Sequence, residues 1–501
     1  MAMTKRKKIA VIGAGFSGLS AAAYLANAGF EVDVFEQHAA PGGRARQFSE
    51  AGYIFDTGPS WYWMPDVFDR FFEDLGSVTS EWYQLRLLDP AFEIVFGPRQ
   101  NLIIPDDFNA LRALFENTEP GAGRRLARFM EQAQFKYERA MADIIYSPGI
   151  SFTELLRPPV MRAAAGFQLF STIRRQVRKN FSHPHLTALM EFPVLFLGAS
   201  AANTPALYTL MNYAGLRLGT WYPQGGFGAV AGGIARLAEQ KGARIHYTSE
   251  VNSILITNGR VSGVQTHNGA FPCDGLVAAG DYRHTEQTLL PEPYRNYKTT
   301  WWDKKTFAPS CLVFYLGLRK QFPLLHHTLF FNGDLEEHVS EIYKSPVWPA
   351  NPNFYVCRTS ASDPTAAPPG HDNLFLLMPI APGLPDTPGT REKYFLIMAD
   401  RIQSKLGEDI RPHIDYQRSY CISDFTKDYG AFKGNAYGLA NTLRQTAFLK
   451  PKIHNRKLPN LVYAGQLTVP GPGVPPPSSP ERSPPQRWRN ISTFGFRKHR
   501  G

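Results

Sequence analysis

The order of apolar and polar positions along the chain predicts an α/β protein. An apolar strand at residues 8–12 leads into three closely spaced glycines and a helix, and a second strand follows at 31–36. Hydrophobic residues at three- and four-residue spacing over 108–116 and 121–146 predict helices after this first unit. The N-terminal part therefore predicts a strand-helix-strand unit followed by a helical region.

The middle and C-terminal parts alternate between strand patterns and helix patterns. Asn258–Gly259 and Asn268–Gly269 interrupt alternating runs and predict hairpin turns, and residues 391–406 predict a helix. Continuous apolar runs predict further buried strands at 276–281, 311–318, 373–378 and 460–465. No run approaches the roughly 20 apolar residues of a membrane-spanning helix, so any membrane contact is expected to be peripheral.

Three glycines at the end of the first strand, Gly13, Gly15 and Gly18, have the spacing of a dinucleotide-binding turn. The first makes the tight turn, the second lets the backbone approach a pyrophosphate, and the third permits close packing of helix on strand. Glu36 ends the second strand, where a carboxylate accepts both ribose hydroxyls. Glycine triplets also occur in ordinary turns, but the complete order of strand, triplet, helix, strand and acid favours a dinucleotide site.

Two further glycine-containing segments could also meet a cofactor. The loop 41–45 carries Arg44 after two glycines, where an arginine can meet phosphate or ring oxygens, although an ordinary solvated loop explains this segment equally well by itself. Gly226 and Gly228 do not follow a strand, so we do not expect a second dinucleotide site or a bound nicotinamide.

Together these motifs resemble the N-terminal sequences of members of the flavin-dependent amine oxidase and carotenoid desaturase superfamily. Residues 55–59, Phe-Asp-Thr-Gly-Pro, add to that resemblance. Two later stretches, 218–226 and 463–473, are similar to those of bacterial phytoene desaturases. The similarity extends from about Lys7 to Pro476.

The resemblance implies a Rossmann-type FAD-binding domain assembled from discontinuous segments, with an inserted α+β substrate region of helices and a mixed sheet. The FAD-binding segments are then 1–105, 207–299 and 441–476, separated by a helical substrate or membrane region at 106–206 and by the sheet and helices of the substrate domain at 300–440. The resemblance also implies FAD contacts from Gly13, Gly15, Phe16, Ser17, Gly18, Glu36, Gln37, Gly43, Arg44, Gly58, Pro59, Val251, Gly465, Gln466, Gly473 and Val474.

The activity that the resemblance implies is phytoene desaturation, in which FAD accepts hydride from an acyclic carotenoid and passes electrons to a quinone or to oxygen. Glu154 and Arg157 match in part an acidic residue and an arginine suspected of catalytic work in the family. A capping box with Ser151 as N-cap explains that segment at least as well. Alternatives are desaturation of a hydroxyneurosporene-type or C30 diapophytoene-type chain, an amine oxidase, and a damaged protein that only binds carotenoid.

Charge and composition limit the partners. The net charge of +11 comes without a recognisable nucleic-acid-binding motif, so anionic lipid headgroups are the better partner. Residues 167–179 combine bulky apolar residues with four cations and predict an amphipathic helix that either lies on a bilayer or turns a solvated face outward. The short segment before the first strand leaves no room for an apolar signal region, so we expect a cytoplasmic protein peripherally associated with the cytoplasmic membrane.

No metal site is expected from the sequence. The four cysteines lie far apart and form no Cys-x-x-Cys pair. His326 and His327 lack a third ligand at a supporting spacing, and we expect them at the surface. The aromatic stretch that begins at Trp61 is expected to pack beneath a helix rather than to cap a pocket.

The tail after Pro476 departs from the family pattern. The family continues with small residues into a helix that covers the flavin, whereas prolines between 477 and 485 forbid a helix here. One hypothesis is a frameshift that replaced this helix and weakens FAD binding, which sequencing of the gene tests. The other is a genuine disordered tail, because residues 477–501 carry five Arg and one Lys against one Glu.

Overall fold

The computed structural model describes residues 6–144, 171–198, 200–331, 335–442, 445 and 449–468. Within these ranges, a five-stranded parallel sheet and a seven-stranded mixed sheet form the frame of the protein. Helices and short antiparallel strand pairs connect and cover the two sheets. The predicted α/β fold class is confirmed.

The parallel sheet, called here the nucleotide sheet, is assembled from separate parts of the chain. In chain order, the third, second, first, fourth and fifth of its described strands lie side by side. This is the Rossmann order, in which a dinucleotide binds at the carboxyl edge beside the first strand. The strands are Lys8–Ile12, Glu31–Phe35, Ala243–His246, Gly275–Ala278 and Leu461–Tyr463. The predicted assembly from discontinuous segments is confirmed.

Both faces of the nucleotide sheet are covered. Alternate residues of its strands pack in one apolar cluster with the helices Phe16–Asn27 and Gly226–Gln240. The other face packs against an antiparallel meander. Both predicted hairpin turns are confirmed by antiparallel pairing on either side of them, and Asn258, Gly259 and Gly269 have positive φ angles of 52°, 69° and 117°. The meander strands are Val251–Thr257, Arg260–Thr266 and Gly269–Pro272.

The mixed sheet, called here the large sheet, faces two different apolar clusters. Along the strand Ser310–Leu318, Leu316 packs with the helix Pro388–Leu406 on one side, whereas Tyr315 joins an aromatic cluster on the other. The predicted strands at 311–318 and 373–378 and the helix at 391–406 are confirmed. The strands of the sheet are Phe92–Gly97, Gln100–Ile104, Ser310–Leu318, His327–Phe330, Phe354–Cys357, Asp372–Ile380 and Ile414–Tyr420.

One connection joins an early part of the chain to this sheet. The strand Phe92–Gly97 pairs in parallel with His327–Phe330 and antiparallel with Gln100–Ile104. Residues 92–104, which the predicted segment 1–105 contains, therefore lie in the large sheet and not in the nucleotide sheet.

Helices cover the aromatic side of the large sheet. The main helices in this region are Phe108–Thr118, Ala122–Arg139, Ile173–Asn180, Pro184–Glu191 and Leu210–Leu216. Elsewhere in the described chain, further helices span Pro65–Asp74, Leu335–Tyr343 and Ile422–Tyr429. Short antiparallel pairs join Gln47–Glu50 to Tyr53–Asp56 and Leu85–Leu87 to Trp221–Pro223.

The predicted amphipathic helix is present at Ile173–Asn180, but its apolar face points into the protein. Ile173 and Val177 are buried in the aromatic cluster. Arg174 forms ion pairs with Glu191 and Glu336. The bilayer interpretation is therefore wrong for Ile173–Asn180, because its apolar residues already pack against protein. Residues 167–170 of the predicted helix lie outside the described residues. Within the ranges given above, no helix has both the length and the apolar character needed to cross a membrane.

Candidate cofactor and substrate site

The first glycine turn lies between the strand Lys8–Ile12 and the helix Phe16–Asn27. Gly13 has a φ of 95°, and its amide donates to Phe35 O at 2.8 Å. A Cβ on Gly18 would lie 1.9 Å from Gly13 O, so no side chain fits there without moving the backbone. The turn thus has the tight geometry that the spacing predicts. The amides of the first helical turn, which include those of Phe16 and Ser17, have no partner within the helix and are available to an anion.

Glu36 is held beside this turn. The residue is buried, its Oε2 accepts from Ala14 N at 2.7 Å, and its Oε1 accepts from His38 N at 3.0 Å. A carboxylate has about four acceptor positions, so both oxygens can still accept a ribose hydroxyl. Val251 begins a strand on the same side, because Ser249 N donates to Glu36 O at 2.7 Å.

The Arg44 loop packs directly on the glycine turn. Gly42 N donates to Ala14 O at 2.8 Å, and a Cβ on Gly43, whose φ is 57°, would lie 3.2 Å from Gly15 Cα. Gly58 meets the same loop, since a Cβ there would lie 2.8 Å from Arg44 O. Pro59 follows this contact and is partly exposed. The fold therefore brings together the glycine turn, the Arg44 loop and the 57–59 segment.

The last strand of the nucleotide sheet adds Gly465 and Gln466 to this edge. Gly465 has a φ of 113°, and Ser17 Oγ lies 3.8 Å from the position that a Cβ on Gly465 would take. The side-chain oxygen of Gln466, in the orientation that satisfies its hydrogen bonds, accepts from Arg44 Nη2 at 3.0 Å. Gln466 therefore holds the guanidinium at the carboxyl edge of the sheet.

Two polar atoms near this edge are buried and have no hydrogen-bond partner in the described part of the chain. One is Arg44 Nε, a donor, and the other is Asp281 Oδ2, an acceptor. Asp281 Oδ1 accepts from His284 N at 2.9 Å, and burial raises the pKa of Asp281 although Arg44 opposes the shift. A group that carries both phosphate oxygens and hydroxyls satisfies such a pair, so these residues fit FAD. The sequence analysis missed Asp281, although an acid just beyond a Rossmann strand is a usable signal.

Asp428 and Tyr429, which the sequence analysis also missed, contact the Arg44 loop from the end of the helix Ile422–Tyr429. The guanidinium carbons of Arg44 and Arg46 lie 4.8 and 5.7 Å from the centre of the Tyr429 ring. Tyr429 OH donates to Gly43 O at 3.2 Å. The Asp428 carbonyl accepts from Gln37 Nε2 at 2.5 Å. These contacts fix the loop from the side of the large sheet. No local sequence motif predicts them.

A protein carboxylate, that of Asp56, lies against Gly226 and Gly228, the glycines that the sequence analysis rejected as a second dinucleotide site. Asp56 Oδ2 accepts from Phe227 N at 2.9 Å and Asp56 Oδ1 from Gly228 N at 3.1 Å. A Cβ on Gly226 would lie 2.5 Å from Asp56 Oδ2. Burial raises the pKa of Asp56 to about 7, against the opposite effect of the two amides. Because Asp56 fills the helix N-terminus, no phosphate fits there, in line with the rejection of a second dinucleotide site.

The expectation of surface histidines is wrong, because His326 and His327 are both buried. Strand pairing places Cys357 opposite His327. One potential ligand atom from each of His326, His327 and Cys357 lies within 4.8 Å of the others. Sequence spacing could not show this cluster, because the cysteine comes from a neighbouring strand. Trp61 stacks on the His327 ring at 4.0 Å between centroids, so it packs against a strand of the large sheet.

Four predicted site residues lie outside the described residues: Glu154, Arg157, Gly473 and Val474. The same holds for the tail 477–501. Their roles stay predictions.

The geometry agrees with what comparison with known proteins finds. A family described as flavin-containing amine oxidoreductase matches residues 16–471. The chain belongs to this family. Its match begins at Phe16, at the end of the glycine turn, and includes the Arg44 loop and Gly465, which meet at the carboxyl edge of the nucleotide sheet.

Similar curated proteins within the family are carotenoid desaturases. The chain is 39% identical over 469 residues to a carotenoid 3,4-desaturase from Haloarcula japonica, covering 93% of this chain and 95% of the relative. It is 30% identical over 482 residues to a zeta-carotene-forming phytoene desaturase from Myxococcus xanthus, covering 95% and 92%. These relatives assign the chain to the carotenoid desaturase branch, and the protein is an FAD-dependent oxidoreductase.

Solved structures share the fold at low sequence identity. An oxidoreductase from Methanosarcina mazei matches with a TM-score of 0.59 and 17% identity, over 93% of this chain and 97% of that one. Cyclohexylamine oxidase from Brevibacterium oxydans matches with a TM-score of 0.56 and 15% identity, over 98% and 99%. The predicted Rossmann-type FAD-binding fold is confirmed.

Proposed function

We propose that this protein dehydrogenates an acyclic carotenoid, with FAD as the hydride acceptor. The observation that carries the proposal is an aromatic cluster on the large sheet that contacts the 57–59 segment. Tyr315 OH donates to Thr57 O at 2.8 Å, and the same cluster contains Trp63, Phe92 and Phe192. A hydrocarbon without polar groups can be held only by apolar contact, and such a cluster supplies it.

Phytoene, converted towards neurosporene and lycopene, is the substrate that the sequence motifs favour. A second candidate is a 3,4-desaturation of a more modified carotenoid. This candidate is supported by the higher identity to the 3,4-desaturase, 39% against 30% for the phytoene desaturase. The two candidates share the chemistry and differ in which bond lies at the flavin.

The proposed division of labour follows the geometry. The glycine turn, Glu36 and Arg44 hold the cofactor, while the aromatic side chains of the large sheet orient the polyene and exclude water. Bound FAD supplies a hydride acceptor at N5. Glu154 and Arg157 are proposed to assist proton loss or charge stabilisation, and unchanged turnover in the double alanine variant would refute that role.

Electron release and membrane contact are part of the proposal. Electrons leave to a quinone or to oxygen, and a lipophilic substrate favours peripheral contact with the cytoplasmic membrane. An exposed aromatic beside a cation supports such contact: Phe135 is 41% exposed, and Arg139 lies 5.8 Å from its ring centre. Flotation with anionic vesicles tests it, and absence of the protein from the vesicle fraction would contradict it.

The proposed activity is tested by anaerobic mixing of the purified yellow protein with phytoene, with a more desaturated acyclic carotenoid, or with an aliphatic amine. Bleaching of the flavin by a carotenoid supports the proposal, and the faster carotenoid identifies the candidate. Bleaching by the amine alone would replace it with an amine oxidase. Expression in phytoene-accumulating cells, with the present tail and with the alternative reading frame, shows whether the tail limits FAD binding.

A further inference from the structure

The order of the strands in the nucleotide sheet gives the direction in which FAD crosses its carboxyl edge. Glu36, which fits the adenosine ribose, follows the strand Glu31–Phe35 on one side of the first strand, Lys8–Ile12. The strand Gly275–Ala278 lies on the other side of the first strand. Because the glycine turn for the pyrophosphate lies between these two positions, we expect the flavin half of FAD beyond Gly275–Ala278.

The chain that follows Gly275–Ala278 borders an open cleft. Gly280 is exposed, and a Cβ on it would meet no atom within 4 Å. The cleft adjoins the glycine turn, because a Cβ on Gly13 would lie 3.4 Å from Gly280 N. Gly280 does not have a positive φ, so its backbone does not require a glycine. The absence of a side chain there leaves room that a ligand can enter.

Asp281 follows directly and has one unused acceptor. Its Oδ1 accepts from His284 N at 2.9 Å, whereas its Oδ2 is buried without a hydrogen-bond partner among the described residues. The charged and titratable groups that face Asp281 are Arg44, Arg283 and His284, and all three oppose the rise that burial causes in the pKa of Asp281. An unmatched buried acceptor costs about 1–3 kcal/mol, so a donor from a ligand would be bound firmly there.

The two arginines beside Asp281 are fixed by one short segment of the chain. The guanidinium carbon of Arg44 lies 4.8 Å from the centre of the Tyr429 ring, and that of Arg283 lies 3.9 Å from the centre of the Phe432 ring. The Nε atoms of both arginines are buried and lack hydrogen-bond partners within the described ranges. This edge therefore presents two unmatched donors and, at Asp281, one unmatched acceptor.

We propose that Asp281 Oδ2 accepts a hydrogen bond from a hydroxyl of the ribityl chain of FAD and thereby positions the flavin half of the cofactor. Phosphate oxygens are acceptors only and suit the arginines, whereas the ribityl chain carries the hydroxyl donors that a carboxylate needs. The assignment rests on the use of FAD in the proposed dehydrogenation, but it does not depend on which carotenoid reacts.

The test compares binding of FAD with binding of ADP, which contains the adenosine and pyrophosphate parts but lacks the flavin half. In Asp281→Asn the side-chain oxygen must still face His284 N, which can only donate, so an NH2 group replaces the acceptor Oδ2. Titration of the full-length, cofactor-free protein should show the dissociation constant of FAD raised about tenfold and that of ADP unchanged. Glu36→Gln, at the adenosine end, is the opposing control and should weaken both ligands.

A second variant fills the cleft and leaves Asp281 in place. Gly280→Val adds side-chain atoms where a Cβ meets no neighbour, so the free energy of unfolding of the cofactor-free protein should stay close to that of the wild type. FAD binding is expected to weaken about tenfold or more, because the added atoms occupy space that the ligand needs. Wild-type FAD affinity in Gly280→Val would show that the flavin half does not enter this cleft and would overturn the proposal.

The outcomes for Asp281→Asn separate this subsite from the proposed function. Equal weakening of FAD and ADP would assign the effect to the pyrophosphate or to the fold and would overturn the role of Asp281. Unchanged FAD affinity would overturn it as well and would leave Oδ2 to water. If the wild-type protein bound FAD as expected but oxidised no carotenoid, the proposed function would be contradicted while the subsite remained.

Discussion

The nucleotide sheet and the large sheet are built from similar apolar strands, yet they contribute to the site in different ways. At the edge of the nucleotide sheet the decisive features belong to the backbone: Gly13 and Gly465 have φ angles of 95° and 113°, and Gly18 admits no Cβ. On the large sheet the groups that carry the proposed substrate contact are side chains, such as those of Tyr315 and Phe92. Cofactor geometry is therefore encoded in short local motifs, whereas the proposed substrate side depends on strands that come together from distant parts of the chain.

The largest effect is expected from a side chain at Gly18. Gly18→Val places atoms where a Cβ already lies 1.9 Å from Gly13 O, so the turn must open, at a cost of more than about 3 kcal/mol of unfolding free energy, with loss of FAD. Denaturant unfolding and the FAD content after purification measure both. Gly232→Ala is the matched control, because its nearest neighbour is the flexible end of Arg236 at 3.2 Å. If the Gly18→Val variant retained FAD, the contrast drawn between the two sheets would be contradicted.

A cavity in the large sheet should destabilise the protein without changing the cofactor turn. Leu376 is fully buried between this sheet and the helix Pro388–Leu406. Leu376→Ala is expected to lower the free energy of unfolding by about 3 kcal/mol. The dissociation constant of FAD, measured on the folded fraction by flavin fluorescence, should stay close to the wild-type value. A large loss of FAD affinity would mean that the two sheets are not separable in this way.

Low pH should lower the free energy of unfolding through Asp386, which lies beside the large sheet. Burial opposes ionisation of Asp386, but hydrogen bonds from Arg391 and Ser423 outweigh it and lower the pKa to about 2. The folded pKa lies below the unfolded value of 3.8, so this group stabilises the fold above about pH 4, and that contribution, about 2 kcal/mol, is lost as the pH falls towards 2. Unfolding curves of wild type and Asp386→Asn between pH 2 and pH 6 should converge at the acid end. Parallel curves would contradict the assignment.

The smallest effect concerns the contact that joins the two regions. Tyr429→Ala removes the ring beneath Arg44 and the hydroxyl that binds Gly43 O, and should weaken FAD binding about tenfold. Tyr429→Phe keeps the ring and should lie between wild type and alanine. Titration of the apoprotein with FAD measures both variants. Equal affinities in all three proteins would show that the large sheet does not help to hold the Arg44 loop.

Several residues show where prediction from the sequence stopped. The glycine turn, Glu36 and the hairpin at Asn258 were predicted because their conformations follow from residue type over a few positions. The burial of His326 and His327 was not, because it depends on pairing with the strand that carries Cys357. The role of Tyr429 was not predicted for the same reason, since no sequence pattern links a tyrosine at a helix end to a loop near the N-terminus.

The sequence alone determined the strand-helix-strand unit, its three glycines, the acid that follows and the family to which the chain belongs. These features are local, because glycine spacing and side-chain size fix the backbone over a few residues. Only the tertiary structure decided that Phe92–Gly97 joins the large sheet, that Asp56 lies against Gly226 and Gly228, and that Tyr355 is hydrogen-bonded to both Ser60 and His327. Such contacts depend on strand order and register, which are set by the burial of whole faces and not by any short stretch of sequence.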